Sequence, residues 1–200
     1  MSIIKLNNRS VKDITQFGSI TSLGSLSHIS TQTSSGASSI DFTSGIDSTF
    51  KEYIFFLVNI HGSSEAKFFI NFRDGGSNFD AVKTTTNWRS YHFESASAAG
   101  VGYQNTLDLA QLTSDQMIGQ EIGHDNDECG SGFLHLFNPS DTNFVKHFVS
   151  RFSHAYSTAG NVDNFVSGYC NTTAAIDGVT FKMNSGNIDS GVIKMYGITK

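Results

Sequence analysis

Most of this chain repeats one pattern. A short run rich in Phe, Tyr, Val and Ile is followed by a cluster of Gly, Ser, Asn or Asp. Alternation with a period of two marks a strand with one buried face, and the polar clusters are turns. Residues 67–72 put Phe68, Ile70 and Phe72 on one face, and Asp74-Gly75-Gly76-Ser77-Asn78 then forms a turn. Residues 53–60 are apolar on both parities, which predicts a central strand buried on both sides. Further strands are predicted over residues 88–93, 133–137, 144–149, 162–170, 179–183 and 192–196. The run 133–137 stops at Asn138-Pro139-Ser140, which holds the only proline. Residues 106–116 are the one helical candidate. Leu107, Leu109, Ala110 and Leu112 do not keep a 3.6-residue period, so a loop or a single turn is expected. Eight or more short strands predict an all-β fold: an antiparallel β-sandwich of the jelly-roll-like kind.

Composition agrees with that class. The chain has 17 Phe, large residues that favour strands. Charged residues are 16% of the chain, against about 25% in average domains. Ser, Thr, Asn and Gly must therefore cover the surface, as is common in secreted and virion β proteins. The net charge of -5 and the lack of a basic cluster argue against nucleic acid as a partner. No run of about 20 apolar residues suggests membrane insertion, and residues 1–12 lack the apolar stretch of a signal peptide. Cys129 lies in an acidic turn and Cys170 ends an apolar run. Two such cysteines make neither a disulfide scaffold nor a zinc site and are expected to be free thiols.

Residues 1–38 differ from the rest. They carry spaced apolar residues, Ile3, Ile4, Leu6, Val11, Ile14 and Phe17, in a polar background. Ser34-Ser35-Gly36-Ala37-Ser38-Ser39 has the composition of a flexible hinge. The segment has too little apolar surface to fold alone. It is expected to be an extended N-terminal arm, with residues 39–200 as the sandwich domain. The six apolar side chains would gain burial only against a partner, which makes the arm a candidate assembly anchor.

The motifs of catalysis are missing. There is no Gly-x-Ser-x-Gly elbow, no His-Glu-x-x-His and no phosphate-cradling Gly loop followed by Lys. The chain is therefore expected not to be an enzyme and to need no cofactor. His92, His135 and His147 fall in predicted strands without same-face neighbours, which argues against a metal site. Asp125 and Asp127, in His124-Asp125-Asn126-Asp127-Glu128, are the best cation candidates. Cys129 occupies the position where a calcium loop needs an oxygen ligand, so a solvated loop is expected. Trp88, Arg89, Tyr91 and Tyr103 are the candidate ligand-facing residues, because exposed aromatic rings can stack on sugars. For Trp88 itself, core packing is the stronger expectation.

Several segments together resemble small virion proteins of marine tailed bacteriophages. They are Lys5-Leu6-Asn7-Asn8-Arg9-Ser10-Val11, His28-Ile29-Ser30-Thr31-Gln32-Thr33, residues 41–50, residues 53–61 and residues 185–197. The resemblance spans nearly the whole chain. It rests on strand and turn sequences, and such proteins are described as structural or tail-fibre-like. It implies a virion protein, assembled in the host cytoplasm, that touches other capsid or tail proteins and forms a homo-oligomer, with a trimer as the expected form. Two uses follow. One is to decorate or cement the capsid surface through the arm. The other is a tail-fibre or receptor-binding module that grips host surface glycans.

Overall fold

The computed structural model describes residues 26–198. Ile3, Ile4, Leu6, Val11, Ile14 and Phe17 lie outside the described residues. Thirteen strands follow one another: β1 (Leu26–Ser34), β2 (Ser39–Phe42), β3 (Glu52–Gly62), β4 (Ala66–Arg73), β5 (Lys83–Phe93), β6 (Ala99–Tyr103), β7 (Ala110–Leu112), β8 (Gln116–Ile122), β9 (Gly130–Phe137), β10 (Lys146–Tyr156), β11 (Gly160–Cys170), β12 (Gly178–Met183) and β13 (Ile188–Ile198). The strand pairings are antiparallel, and no helix occurs among the described residues. The residues considered for a helix, 106–116, form a turn followed by β7.

Pairing is nested. The strand β1 lies beside β13, β2 beside β12, β3 beside β9 and β4 beside β8. Two runs result. The long run is β1-β13-β3-β9-β10-β11-β5, with β6 and β7 on the far edge of β5. The short run is β8-β4-β12-β2. They join through a single residue pair, Tyr156 and Ile122 of β10 and β8. At the other end β1 and β2 are consecutive, and Gln32 Nε2 donates to Asp41 O at 2.7 Å. The sheet is thus nearly closed, like a barrel.

The boundary expected at residue 38 falls inside this sheet. Leu26–Ser34 pairs along β13, and the presumed hinge is a tight connection in which Ala37 bridges Ile188. These residues are ordered by the backbone acceptors and donors of β13, which need no apolar side chains in β1.

Alternation builds the core. On β4, Phe68, Ile70 and Phe72 point inward and are fully buried. Gly75 and Gly76 follow, with φ of 106° and 70°, a left-handed pair that a side chain would strain. Phe181 of β12 meets Phe42, Phe55 and Phe68 with ring centroids 6.1, 5.7 and 6.1 Å apart. Phe72 meets Phe148 at 4.7 Å, and Phe68 meets Phe152 at 5.4 Å. The short run therefore packs its inner face on β3 and β10 of the long run. Each such ring contributes about 2–3 kcal/mol by burial. Gly130 makes room for one of them, since a Cβ there would sit 2.2 Å from the Phe152 ring.

The strand β3 departs from expectation. Tyr53, Phe55 and Leu57 are buried, but Ile54 and Phe56 are half-buried and Val58 is exposed. Both parities are apolar because the second one faces outward, onto an aromatic surface.

Candidate functional site

Strand alternation divides the four expected ligand-facing residues into two pairs. Trp88 is directly opposite Tyr103 of β6 and faces outward. Arg89 and Tyr91 point to the other side of β5, toward β8. No single surface carries all four. The expectation that Trp88 belongs to the core is overturned as well: it is 41% exposed. The cause is parity, because the inward positions of β5 are taken by Lys83, Thr85 and Asn87, all buried.

The outward half belongs to a continuous row. Register places Tyr103 beside Trp88, Trp88 beside Phe165, Phe165 beside Arg151, Arg151 beside Phe133 and Phe133 beside Phe56. The Trp88 and Phe165 rings stack at 4.1 Å with planes only 2° apart. The Arg151 guanidinium lies 4.7 Å above the Phe165 ring and is held there by Asp163, with Nη2 to Oδ2 at 2.7 Å. That pair is partly solvated, so its value is orientation more than stability. Neighbouring outward positions add Ile54, Tyr196 and Val149. Residues 56, 133, 151 and 165 escaped sequence reasoning. For Phe56, Phe133 and Phe165 the signal was the second apolar parity of β3, β9 and β11; Arg151 of β10 carried none.

The inward half lies over a polar layer. Thr85 donates to Gln116 Oε1 at 2.5 Å and accepts the Leu109 N–H at 2.8 Å. Lys83 Nζ donates to Asn71 Oδ1 and Ala81 O at 2.6 and 2.7 Å. Burial depresses the Lys83 ammonium to about 8 despite nearby acidic groups. His154 is buried, and its Nε2–H donates to Gln120 O at 2.5 Å. Desolvation drives its pKa down to about 4, so the ring is neutral at physiological pH. Arg89 Nη1 donates to Gln120 Oε1 at 2.5 Å. Beside it a cavity of about 140 Å³ is lined by Arg89, Tyr91, Phe93, Tyr156 and Val162.

A third cluster looks catalytic by residue type. His61, Asp189, Cys129, Asn59 and Glu128 line a cavity of about 340 Å³. His61 Nδ1 lies 2.6 Å from Asp189 Oδ1 and Nε2 lies 3.1 Å from Asp125 O. Both partners are acceptors, so the ring serves as a two-fold donor. Desolvation opposes its charge, but the bonds to Asp189 and Asp125 win and raise its pKa. With its two ring nitrogens directed at Asp189 and the Asp125 carbonyl, the ring presents no lone pair to the Cys129 thiol. Asp125 and Asp127 do not gather a third ligand: among the described residues no three His, Cys, Asp or Glu side chains are placed to hold a metal ion. Cys129 and Cys170 are both free thiols. Cys170 is fully buried between the register partners Lys83 and Lys146, and burial pushes its thiol up to about 12.

No family model, curated protein or solved structure matches this chain.

Proposed function

We propose that this chain is a non-enzymatic structural protein of a bacteriophage particle, whose folded body is a jelly-roll sandwich that decorates or cements the capsid surface. The nested pairing of β1, β2, β3 and β4 with β13, β12, β9 and β8 supports the jelly-roll reading, since winding one long hairpin around a core produces that order. The strands β10, β11, β5, β6 and β7 then form a wing that extends one layer. The resemblance of the sequence to phage virion proteins supports the setting.

One observation carries the functional reading: the aromatic outer row from Tyr103 to Phe56. Contiguous aromatic residues at least partly open to water, with Trp88 and Tyr103 exposed and Phe165, Phe133 and Phe56 half-buried, are a mark of contact surfaces. The favoured occupant is a second copy of the chain in a closed symmetric oligomer, a trimer by the resemblance. Arg151, exposed and oriented by the buried Asp163, supplies a fixed charge that another copy can meet. The apolar residues of the N-terminal sequence provide the anchor to the particle. Purified virions test this. Peptides of the chain at a copy number close to that of the major capsid protein are expected. A few copies per particle would move it to the tail, and absence from particles would end the virion reading.

A further inference from the structure

We infer that the cavity beside Arg89 is a binding site for a carboxylate-bearing sugar, with Arg89 pairing the carboxylate and Tyr91, Phe93 and Tyr156 walling the sugar ring. The inference stands apart from the assembly reading, because the cavity opens on the side of β5 opposite to Trp88.

Charge gives the first reason. Arg89 is half-buried and forms no ion pair among the described residues. A guanidinium has five N–H donors, and this one meets a single protein acceptor, Gln120 Oε1. Its Nε is buried without a partner. Withdrawing a cation from water without a counter-ion is costly, so the arrangement is poised for an anion. The nearby Glu121 carboxylate accepts the Tyr156 hydroxyl and makes no ion pair with Arg89. Across the strand, Asn164 is the register partner of Arg89, and its Oδ1 is also buried without a partner. Both of these atoms are sealed from solvent, so it is the terminal guanidinium nitrogens of Arg89 that a ligand in the cavity can reach.

Shape gives the second reason. Tyr91 and Phe93 have ring centroids 5.6 Å apart, and Phe93 and Tyr156 have theirs 6.2 Å apart. The guanidinium carbon lies 5.4 Å from the Tyr91 ring, which holds the planar fork in place. Aromatic walls with one fixed cation suit a ring with apolar C–H faces and one carboxylate. A cavity of about 140 Å³ takes a single terminal residue of a glycan, not a chain. If the virion reading above holds, an acidic glycan on the host surface is where a displayed protein would meet such a sugar.

Calorimetric titration of the full chain tests the site with three probes: sodium glucuronate, glucose and inorganic phosphate. Glucuronate is expected to bind, with glucose and phosphate weaker by on the order of tenfold. Arg89→Lys keeps the charge and loses the fork, and should weaken glucuronate by a similar factor. Tyr91→Leu removes a half-exposed wall and should weaken glucuronate while leaving the fold intact by circular dichroism, so a failure of the arginine variant to fold would not end the test. No heat with glucuronate, equal binding of glucose, or no change in either variant would overturn the proposal. Phosphate binding as tight as glucuronate would reduce the site to a general anion site and overturn the sugar.

Discussion

The inner face of the long run changes character between its two halves. Under β13, β3 and β9 it presents Ile193, Met195, Tyr53, Phe55, Leu57, Leu134 and Leu136, all buried against Phe42, Phe68 and Phe181. Under β11 and β5 it mixes Val162, Val166 and Cys170 with Lys83, Thr85, Asn87 and Asn164, all buried, and the polar members meet a layer that includes Asn71 and Gln116. The first half is held by area removed from water. The second is held by directed hydrogen bonds whose net worth is small and whose loss is expensive. Within its strands the polar half leaves Arg89 Nε, Asn164 Oδ1 and His154 Nδ1 unpartnered, whereas the buried unpartnered atoms of the aromatic half, Ser64 Oγ, Asn138 Oδ1 and Ser140 Oγ, sit in the connections that leave β3 and β9. The lesson is a division of labour: the nested strands supply stability, and the wing trades part of it for buried polar groups, beside which the proposed site lies.

Truncation in each half should break this comparison or hold it. Phe181→Ala removes a ring that three others touch and should cost about 3–5 kcal/mol in chemical denaturation. Thr85→Val keeps the volume and loses two hydrogen bonds, for about 1–2 kcal/mol. Lys83→Met relieves a desolvated cation but strips Asn71 Oδ1 and Ala81 O of a donor, so the two effects largely offset and the net cost should be about 1 kcal/mol or less. Equal costs for Phe181→Ala and Thr85→Val would erase the distinction.

Acid should act on the polar half. His154 has a folded pKa of about 4, below the ordinary value near 6.5. Between those values the unfolded chain binds the proton and the folded chain does not. Stability contributed by the neutral ring is therefore full above about pH 6.5 and falls as pH drops toward 4, by about 3 kcal/mol. Denaturation curves from pH 7 to 4 should show this slope, and His154→Leu should flatten it. Lys83 gives the opposite flank. Its folded pKa of about 8 lies below the ordinary 10.5, so stability should rise with pH between them.

Smaller effects are expected at the surface and the N-terminus. Trp88→Ala removes a stacked but exposed ring and should cost about 1 kcal/mol or less. Removing residues 2–25 should leave the melting temperature nearly unchanged and abolish incorporation into particles. Removing residues 2–35 should lower it, because β1 is lost and β13 becomes an unpaired edge.

Much of the nested half was legible in the sequence, since Phe68, Ile70 and Phe72 alternate cleanly and each has an apolar partner. The wing was not. The strand β8 reads Gln116-Met117-Ile118-Gly119-Gln120-Glu121-Ile122 and hides its pattern, because its buried residues include Gln116 and the layer above it is polar. Likewise Thr84, Thr85, Thr86 and Asn87 look like a loop, yet they are strand whose inward members bond across layers. Period-two reasoning assumes that inside means apolar. Trp88 was misplaced by the same assumption. The cluster around His61 joins residues some 60 to 130 positions apart, so no spacing could reveal it.

The outer aromatic row is where the account stands or falls. Sedimentation velocity of the full chain, and of the chain carrying Phe133→Glu, addresses it directly. The wild-type chain should sediment as a closed oligomer at micromolar concentration, and Phe133→Glu should sediment as a folded monomer. A wild-type chain that remains monomeric at every concentration, or a variant that still assembles, would contradict the claim that this face is where copies meet.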